Sequence, residues 1–250
     1  MAVGVTDQQQ AAIDFRDNRL LATFPDEVRD ALLAGSRVVK LASGDRLWSR
    51  GHDIESSYFP LGPTMISMIV DIDVTRSVEV ASVGSEGAIG GIVSCGFAPA
   101  YSRAETIVGG DALRVPMQQI EAIKQSSAHV RNIYCRYADY LMAQVMQSVA
   151  CNSYHSIESR AARWLMTAQD RAGDRLKLTQ EAMSRLLGVQ RTTVNAVIGE
   201  LQAEGLVSTR RGMVDILDRN GLAARSCGCY RSVDQFFDDV IGDEGTGRKT

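Results

Sequence analysis

Residues 178–201 read LTQEAMSRLLGVQRTTVNAVIGEL and decide the fold of the C-terminal part of the chain. Thr179 can cap a first helix whose first turn carries Glu181, an acidic residue that suits the positive end of a helix dipole. Gly188 stands where the chain must reverse, because glycine adopts the left-handed backbone that ends a helix. The second helix turns a run of apolar residues inward, namely Val194, Val197, Ile198 and Leu201. The stretch therefore predicts a helix-turn-helix.

The exposed start of the second helix carries the side chains that would read a base sequence. In a helix-turn-helix these N-terminal residues enter the major groove of DNA. Arg191 can hold guanine by two hydrogen bonds and Asn195 can hold adenine in the same way, with Thr192 as a further candidate. Phosphate contacts are predicted for the flanking polar residues, which are Gln190, Thr193 and Thr179.

The segment after the two helices predicts a wing. Residues 205–208 and 213–217 have strand character and flank the turn Thr209-Arg210-Arg211-Gly212. Arg210 and Arg211 at the tip of this turn are expected to contact phosphates. Any helical hairpin with a glycine can imitate a helix-turn-helix, so the wing is what favours DNA binding. The alternative is a winged-helix module that contacts other proteins.

The net charge of −3 hides an uneven distribution of charge along the chain. Residues 151–231 carry 12 Lys and Arg against 8 Asp and Glu, whereas residues 1–150 carry 13 against 17. The tail from residue 232 has 2 basic residues against 5 acidic ones. A basic segment between two acidic ones predicts that this segment alone faces a polyanion.

The N-terminal half contains short strands separated by glycine turns. Between residues 37 and 116, β-prone pieces alternate with turn signals such as Gly44-Asp45 and Gly109-Gly110. The predicted strands are Val38–Leu41, a piece ending at Trp48, Tyr58–Phe59, Met65–Val70, Val78–Val83, Ala104–Val108 and Ala112–Val115. Short strands at this spacing predict a small sandwich or barrel, and the alternation over residues 77–83 predicts a half-buried strand.

A long helix is predicted from residue 117 to about residue 153, where the sequence holds no Gly or Pro. Apolar residues recur every three or four positions, at Val130, Tyr134, Tyr137, Leu141, Val145 and Val149. Two interpretations compete, since the stripe either packs on the preceding β-domain or pairs with a second copy of the chain. A dimer is favoured because a helix of about 25 residues is longer than such a domain can cover.

These observations predict the fold class α+β. We expect a jelly-roll-like β-roll with flanking helices over residues 1–117, a dimerisation helix over 118–153 and a winged helix-turn-helix over 154–231. Residues 232–250 are predicted to form an acidic tail. Its first part is amphipathic and carries Val233, Phe236, Phe237 and Val240.

This order of elements resembles the Crp/Fnr superfamily of bacterial transcription regulators, most closely over residues 156–217. SIESRAARWLM from residue 156 is similar to the family's first DNA-domain helix. Residues 179–208 are similar to the family's helix-turn-helix segment that reads DNA, which we call the reading head. The resemblance implies a homodimer on a two-fold symmetric double-stranded operator, with half-sites about 34 Å apart. It also implies a sensory β-roll that biases the DNA domains through the long helix, and RNA polymerase as a further partner.

The recognition helix departs from the family pattern. Well-known members read Arg-Glu-Thr-Val-x-Arg where this chain reads Arg-Thr-Thr-Val-Asn-Ala over residues 191–196. Arg191 and Thr193 match that pattern, whereas Thr192 replaces the glutamate and Ala196 replaces the second arginine. We therefore expect an operator that differs from that of the well-known members.

The cyclic-nucleotide cassette of the family fits this sequence poorly. Its Gly-Glu-x-Gly element aligns with residues 90–93, where the acid is missing, and its Arg-Ser-Ala element aligns with residues 102–104 in swapped order. We expect no cyclic-nucleotide cofactor. An effector pocket would lie at Gly90, Gly91, Ser102 and Arg103. Arg103 is interpreted as a surface or structural arginine, and the alternative is that it holds an anion.

The cysteines form no recognisable metal motif. Residues 1–94 contain no Cys, which excludes the N-terminal iron–sulfur cluster of some members. Cys227 and Cys229 are the only close pair, and the three His residues form no motif with them, so no metal site is expected. Residues expected to serve only in apolar packing are Cys95, Cys135, Cys151, Met65, Met68, Met142 and Met146.

We expect a homodimeric, sequence-specific transcription regulator controlled by a signal at its N-terminal domain. Two alternatives stay open, a cyclic-nucleotide-responsive regulator and a winged-helix module that acts through protein contacts. Phosphate-loop, dinucleotide and Gly-x-Ser-x-Gly motifs are missing, so no enzyme is expected. No apolar run approaches the roughly 18 residues of a membrane helix and no secretory signal is seen, so a cytoplasmic location is expected.

Overall fold

The structure is a computed structural model that describes residues 13–93 and 99–242. Its N-terminal part holds short helical segments ahead of a run of strands. These elements are a 3-10 turn (Phe15–Asp17), α1 (Arg19–Ala22), α2 (Asp26–Leu33), β1 (Arg37–Leu41), β2 (Arg46–Trp48), β3 (Ser56–Leu61), β4 (Met65–Asp71), β5 (Ser77–Val83), β6 (Arg103–Val108) and β7 (Gly110–Pro116). The prediction for Cys95 lies outside the described residues.

The C-terminal part is mostly helical. Its elements are α3 (Met117–Ser126), α4 (Ala128–Tyr154), α5 (Ile157–Ala172), β8 (Arg175–Leu176), α6 (Gln180–Leu187), α7 (Arg191–Ala203), β9 (Val207–Arg210), β10 (Met213–Ile216), α8 (Arg219–Arg225) and α9 (Cys229–Ile241). None of the described helices is both long enough and apolar enough to cross a membrane.

Two antiparallel sheets form the N-terminal β-roll. Three strands pair in the order β1-β7-β3 and four pair in the order β2-β6-β4-β5. One buried cluster joins residues from both sheets, namely Leu41, Trp48, Ile66, Val83, Ile89, Ala100, Ala104 and Ala112. Each strand predicted between residues 37 and 116 is present, and the α+β class is confirmed.

Strand β5 lacks the solvent-facing side that its alternating sequence predicted. Helix α6 lies against this strand, and the Trp164 indole of α5 donates a hydrogen bond to Glu79 at 3.0 Å. The Ser67 hydroxyl of β4 donates to the other Glu79 oxygen at 2.5 Å. Burial raises the pKa of Glu79, and these hydrogen bonds oppose the rise. One face of the strand therefore packs on the β-roll core, and the winged domain covers the other face.

The predicted long helix is divided at Ser127. This residue is extended, and its hydroxyl accepts a hydrogen bond from the Val130 N–H, so it caps the 27-residue helix α4. Val130, Tyr134 and Tyr137 lie in the chain's own core at 0–2% exposure. The Tyr137 hydroxyl accepts from the N–H of Ala88 and donates to its carbonyl, both at 3.0 Å. These three residues pack within the chain and are not available to a second copy.

The predicted acidic tail begins inside helix α9, which returns to the N-terminal core. The ring of Phe237 meets that of Tyr140 on α4 edge-on, with centroids 4.9 Å apart. Arg19 forms an ion pair with Asp238 at 2.6 Å. The apolar residues of the predicted amphipathic piece join this core, namely Val233, Phe236, Phe237 and Val240. The domain boundary predicted at residue 232 is therefore wrong, because this helix already starts at Cys229.

Tyr137→Phe is expected to lower the free energy of unfolding by about 1–3 kcal/mol, because it leaves the buried N–H and C=O of Ala88 without their partner. Urea unfolding of the purified chain measures this loss. Tyr101→Phe is the matched control, since the Tyr101 side chain is mostly exposed, and it should leave the midpoint unchanged. Equal midpoints for the two variants would contradict the role given to Tyr137.

Candidate nucleic-acid interface

Helix α6, the first of the helix-turn-helix, is limited at both ends by local chemistry. The Thr179 hydroxyl accepts a hydrogen bond from the Ala182 N–H at 3.0 Å. Gly188 follows the last residue of the helix in the left-handed conformation, with φ of +67°. A side chain at Gly188 would also meet Val78 of β5 at 3.3 Å. Both end signals seen in the sequence are confirmed, and a phosphate contact by Thr179 stays a prediction.

Helix α7 buries one face and exposes the other. The residues predicted to point inward are buried with α5 and α6, namely Val194, Val197, Ile198 and Leu201. The residues predicted to meet DNA lie on the open side, where Gln190, Arg191, Thr192 and Asn195 are exposed and Thr193 is partly exposed. The structure therefore brings the predicted base-reading residues together on one accessible surface.

The start of α7 suits an anion. Its described first turn holds no acidic residue, and Gln190 at the N-cap makes no capping bond with its side chain. The first N–H groups of a helix have no partner within that helix, and they carry the positive end of its dipole. Together with the exposed guanidinium of Arg191, they create a positive surface that matches phosphates and the acceptor edge of guanine.

The wing lies beside this helix as a short ribbon. β9 and β10 pair antiparallel and reverse through Arg211 and Gly212, with Gly212 at φ +72°. Arg210 and Arg211 are exposed at the tip. Asp215 lies 3.8 Å from Arg210 and 2.9 Å from Arg175, whereas Arg211 has no ion-pair partner among the described residues. Arg211 is therefore the more available of the two for a phosphate.

A third strand of this ribbon was not predicted. β8 pairs antiparallel with β10, so the order of the small sheet is β8-β10-β9. Arg175 and Leu176 are its only residues, and two residues carry no periodic signal that a sequence could reveal. Leu176 is buried in the core of the winged domain.

Helix α4 has a second stripe that faces outward. Its members follow at alternating steps of four and three, the spacing of a coiled-coil seam, and are Cys135, Asp139, Met142, Met146 and Val149. Met142, Met146 and Val149 are 54–63% exposed. The expected core positions of these two methionines and of Cys135 are therefore wrong. Leu141 and Val145 of the predicted stripe are partly buried between the two faces.

Comparison with known proteins finds a domain match in the C-terminal part and a shared fold over most of the chain. Residues 159–225 match the Crp-like helix-turn-helix domain. No curated protein matches the chain. A Crp/Fnr-family transcriptional regulator from Eubacterium rectale has a similar structure, with a TM-score of 0.65 at 19% identity over 85% of this chain and 97% of its own.

Two further solved structures agree. FixK2 from Bradyrhizobium japonicum aligns with a TM-score of 0.64 at 14% identity, over 77% of this chain and 98% of its own. The c-di-GMP-responsive regulator CLP from Xanthomonas campestris aligns with a TM-score of 0.61 at 15% identity, over 78% and 100%. This chain has the Crp/Fnr fold. The fold expected from the resemblance is therefore confirmed.

The residues predicted for an effector pocket make contacts within the chain. Arg103 is buried and pairs with Asp71 at 2.8 Å and Glu105 at 3.3 Å. The carbonyl of Ser102 accepts a hydrogen bond from the Trp48 indole at 3.1 Å. Two carboxylates pair with the buried guanidinium, so Arg103 has the structural role that the sequence favoured. An anion contact by Arg103 stays an untested alternative.

The two glycines of that predicted pocket have packing roles. A side chain at Gly90 would meet the carbonyl oxygen of Ser56 at 2.6 Å, and one at Gly91 would overlap the sulfur of Met117. Both glycines also have positive φ angles. Close approach to β3 and α3 therefore accounts for them without a ligand.

Gly188→Ala is expected to lower the free energy of unfolding by about 1–2 kcal/mol, because alanine disfavours a left-handed backbone. Gly199→Ala is the matched control within α7, where an added methyl group meets nothing within 4 Å. It should raise stability by about 0.5–1 kcal/mol, since glycine weakens a helix interior. Chemical unfolding of both variants gives the comparison, and a stabilising Gly188→Ala would refute the assigned turn.

Proposed function

We propose that this chain is a homodimeric, sequence-specific DNA-binding transcription regulator, controlled by a signal at its N-terminal domain. The observation that carries the proposal is the joint exposure of Arg191, Thr192 and Asn195 at the start of α7. The basic wing tip on the same domain and the match of residues 159–225 to the Crp-like helix-turn-helix domain support it. RNA polymerase remains a predicted partner.

Base reading and phosphate binding are assigned to different residues. Arg191 reads a base. Asn195, one turn later in α7, and Thr192, the next residue, make further base contacts. Gln190, Thr193, Arg210 and Arg211 hold the backbone. Phosphate contacts fix the register of a protein on DNA and carry no sequence information, whereas contacts with base edges do. The two groups should therefore respond differently to mutation.

Arg191→Ala is expected to weaken binding to the operator by about 1–3 kcal/mol and to relax the preference at one base pair. Fluorescence anisotropy with the chain's own upstream promoter duplex and a scrambled duplex of equal length, at about 150 mM salt, measures both effects. Arg211→Ala should instead weaken binding to both duplexes and lower the salt slope by about one.

Arg76→Ala is the control for these two variants, because Arg76 is an exposed arginine on the β-roll that pairs with Asp73. It should leave both affinities unchanged. Uniform loss on all duplexes in Arg191→Ala would contradict base reading. Weak binding to every duplex that does not vary with salt would favour the module that acts through protein contacts.

The outward stripe of α4 supports the dimer. Exposed Met142, Met146 and Val149 lie along one line with Cys135 and Asp139 at coiled-coil spacing. Exposed apolar side chains in a continuous line are unfavourable in water, and a second copy of the same helix covers them by a two-fold axis. Two parallel copies would hold two reading heads at a fixed separation, as successive major grooves require.

Met146→Glu is expected to shift the chain toward the monomer. It places one carboxylate from each chain opposite the other in the seam, one heptad after Asp139, where like charges repel. Analytical ultracentrifugation measures this shift. Val74→Glu is the control, since its fully exposed apolar side chain lies in the β4–β5 turn. Mild oxidation should also join two chains through Cys135, and Cys135→Ser should prevent the link. A wild-type chain that sediments as a monomer at micromolar concentration would refute the dimer.

Control by the N-terminal domain has a physical route. Arg171 of α5 pairs with Glu86 of the β-roll at 2.6 Å, close to the hydrogen bond between Trp164 and Glu79. Arg171, Glu86 and Glu79 line a cavity of 190 Å³ that Gln144 of α4 also borders. A signal that stabilises a different packing of α5 against the β-roll would shift the population of chains toward that packing. The recognition helices would then be reoriented.

A further inference from the structure

Four side chains with metal-binding atoms meet at the junction between the long helix and the winged domain. They are Cys151, His155, Cys227 and Cys229, and their ligand atoms all lie within 4.8 Å of one another. The sulfurs of Cys151 and Cys227 are 3.6 Å apart, and the Cys229 sulfur is 3.4 Å from Nδ1 of His155. We refer to this group as the cysteine–histidine cluster.

Two short spacings build the cluster. Cys151 and His155 are four residues apart at the C-terminal end of α4, where such a pair shares one face of a helix. Cys227 lies in the turn between α8 and α9, and Cys229 is the first residue of α9, with Gly228 between them. The two pairs are 74 to 76 residues apart in sequence, which is why the sequence alone predicted packing thiols and no metal.

The distances match a tetrahedral zinc site. With zinc–sulfur bonds of about 2.3 Å and zinc–nitrogen bonds of about 2.0–2.1 Å, two sulfurs lie about 3.8 Å apart and a sulfur lies about 3.5 Å from a nitrogen. The Cys151–Cys227 distance of 3.6 Å and the Cys229–His155 distance of 3.4 Å are within a few tenths of an ångström of these two values. The remaining pairs lie within 4.8 Å, so they need to close by about 1.3 Å at most. A disulfide would instead require the Cys151 and Cys227 sulfurs to approach to about 2.05 Å.

The surroundings suit metal ligands better than packing thiols. Among the described residues, Cys151, Cys227 and Cys229 form a small buried cluster of their own, separate from the three larger hydrophobic clusters. His155 is exposed, which gives an ion a path to solvent. Three thiolates and one imidazole are a donor set that zinc accepts in structural sites.

Neighbouring polar groups complete the site. The Gln147 amide donates a hydrogen bond to the Cys229 sulfur at 2.9 Å. Arg160 lies close enough to Cys151 and Cys227 for their charges to interact. Three thiolates around a divalent ion carry a net charge of −1, which the guanidinium would balance. Groups of this kind orient metal ligands and tune the ion from outside the coordination sphere.

We propose that Cys151, His155, Cys227 and Cys229 bind one Zn²⁺ ion. Binding displaces the three thiol protons to solvent and leaves a neutral imidazole. The ion ties the end of α4 to the turn between α8 and α9, and Arg160 extends the link by donating to the Leu187 carbonyl at 2.7 Å, next to the turn of the helix-turn-helix. The site therefore fixes the hinge at which each reading head joins the long helix.

Metal analysis of the purified full-length chain, without a metal-binding tag and from zinc-supplemented medium, is expected to find about one zinc ion per chain. Cys229→Ser and His155→Ala should lose it. Cys135→Ser and His52→Ala are the matched controls, because both residues lie outside the cluster, and they should retain it. A wild-type chain free of zinc would overturn the proposal, as would equal zinc content in all variants.

Cobalt substitution provides a second readout that does not depend on variants that fold. Co²⁺ added to the metal-free wild-type chain is expected to produce thiolate charge-transfer absorption and the strong visible bands of a tetrahedral site, and one equivalent of Zn²⁺ should remove them. Lack of these bands would overturn the proposal. So would iron–sulfur absorption of the chain as isolated, or a Cys151–Cys227 disulfide found by mass spectrometry under reducing purification.

Neither readout uses DNA, so the fate of the zinc site and the fate of the proposed function can be told apart. If zinc binds and the promoter duplex does not, the metal site stands and the reading head is refuted. If the duplex is read and no metal binds, the reverse holds.

Discussion

Helix α4 has to bury apolar side chains on two opposite faces, and the rest of the architecture depends on this demand. Its inner face places Tyr134 and Tyr137 in the core, while its outer face leaves Met142 and Met146 more than half exposed. At 1.5 Å per residue, its 27 residues span about 40 Å. The N-terminal core and α9 cover the inner face, and the proposed second chain covers the outer one.

The joint between the winged domain and the β-roll is polar and buried, which makes it specific. Glu79 receives hydrogen bonds from both sides, from Ser67 in the sheet and from Trp164 in α5. Arg171 and Glu86 form an ion pair across the same boundary. Buried charges are tolerated only with their partners in place, so separating the domains without rehydrating these groups is unfavourable. These contacts therefore hold the winged domain in one defined orientation against the β-roll.

The features predicted correctly from the sequence are those that local chemistry decides. Thr179 and Gly188 mark the ends of α6 because a cap and a left-handed turn need only neighbouring residues. The strands follow from alternation and glycine turns in the same way. The errors concern partners that are distant in sequence. Periodicity showed that α4 has an apolar face but not what covers it, and nothing local connects Cys151 with Cys227 across 76 residues.

In the proposed regulator, part of the sequence specificity comes from the distance between the two recognition helices of the dimer. Thr192 and Ala196 stand where the family pattern has the longer glutamate and arginine. In the proposed regulator, fewer side chains of each recognition helix would therefore reach the bases. A good base contact contributes about 1–3 kcal/mol of discrimination, so one head with Arg191 as its main reader discriminates weakly. Two heads at a fixed separation add their preferences, because the second binds at the high effective concentration set by the first. In the proposed dimer that separation would depend on the α4 seam and on the proposed zinc site at the end of α4, so residues far from DNA would take part in selecting the operator.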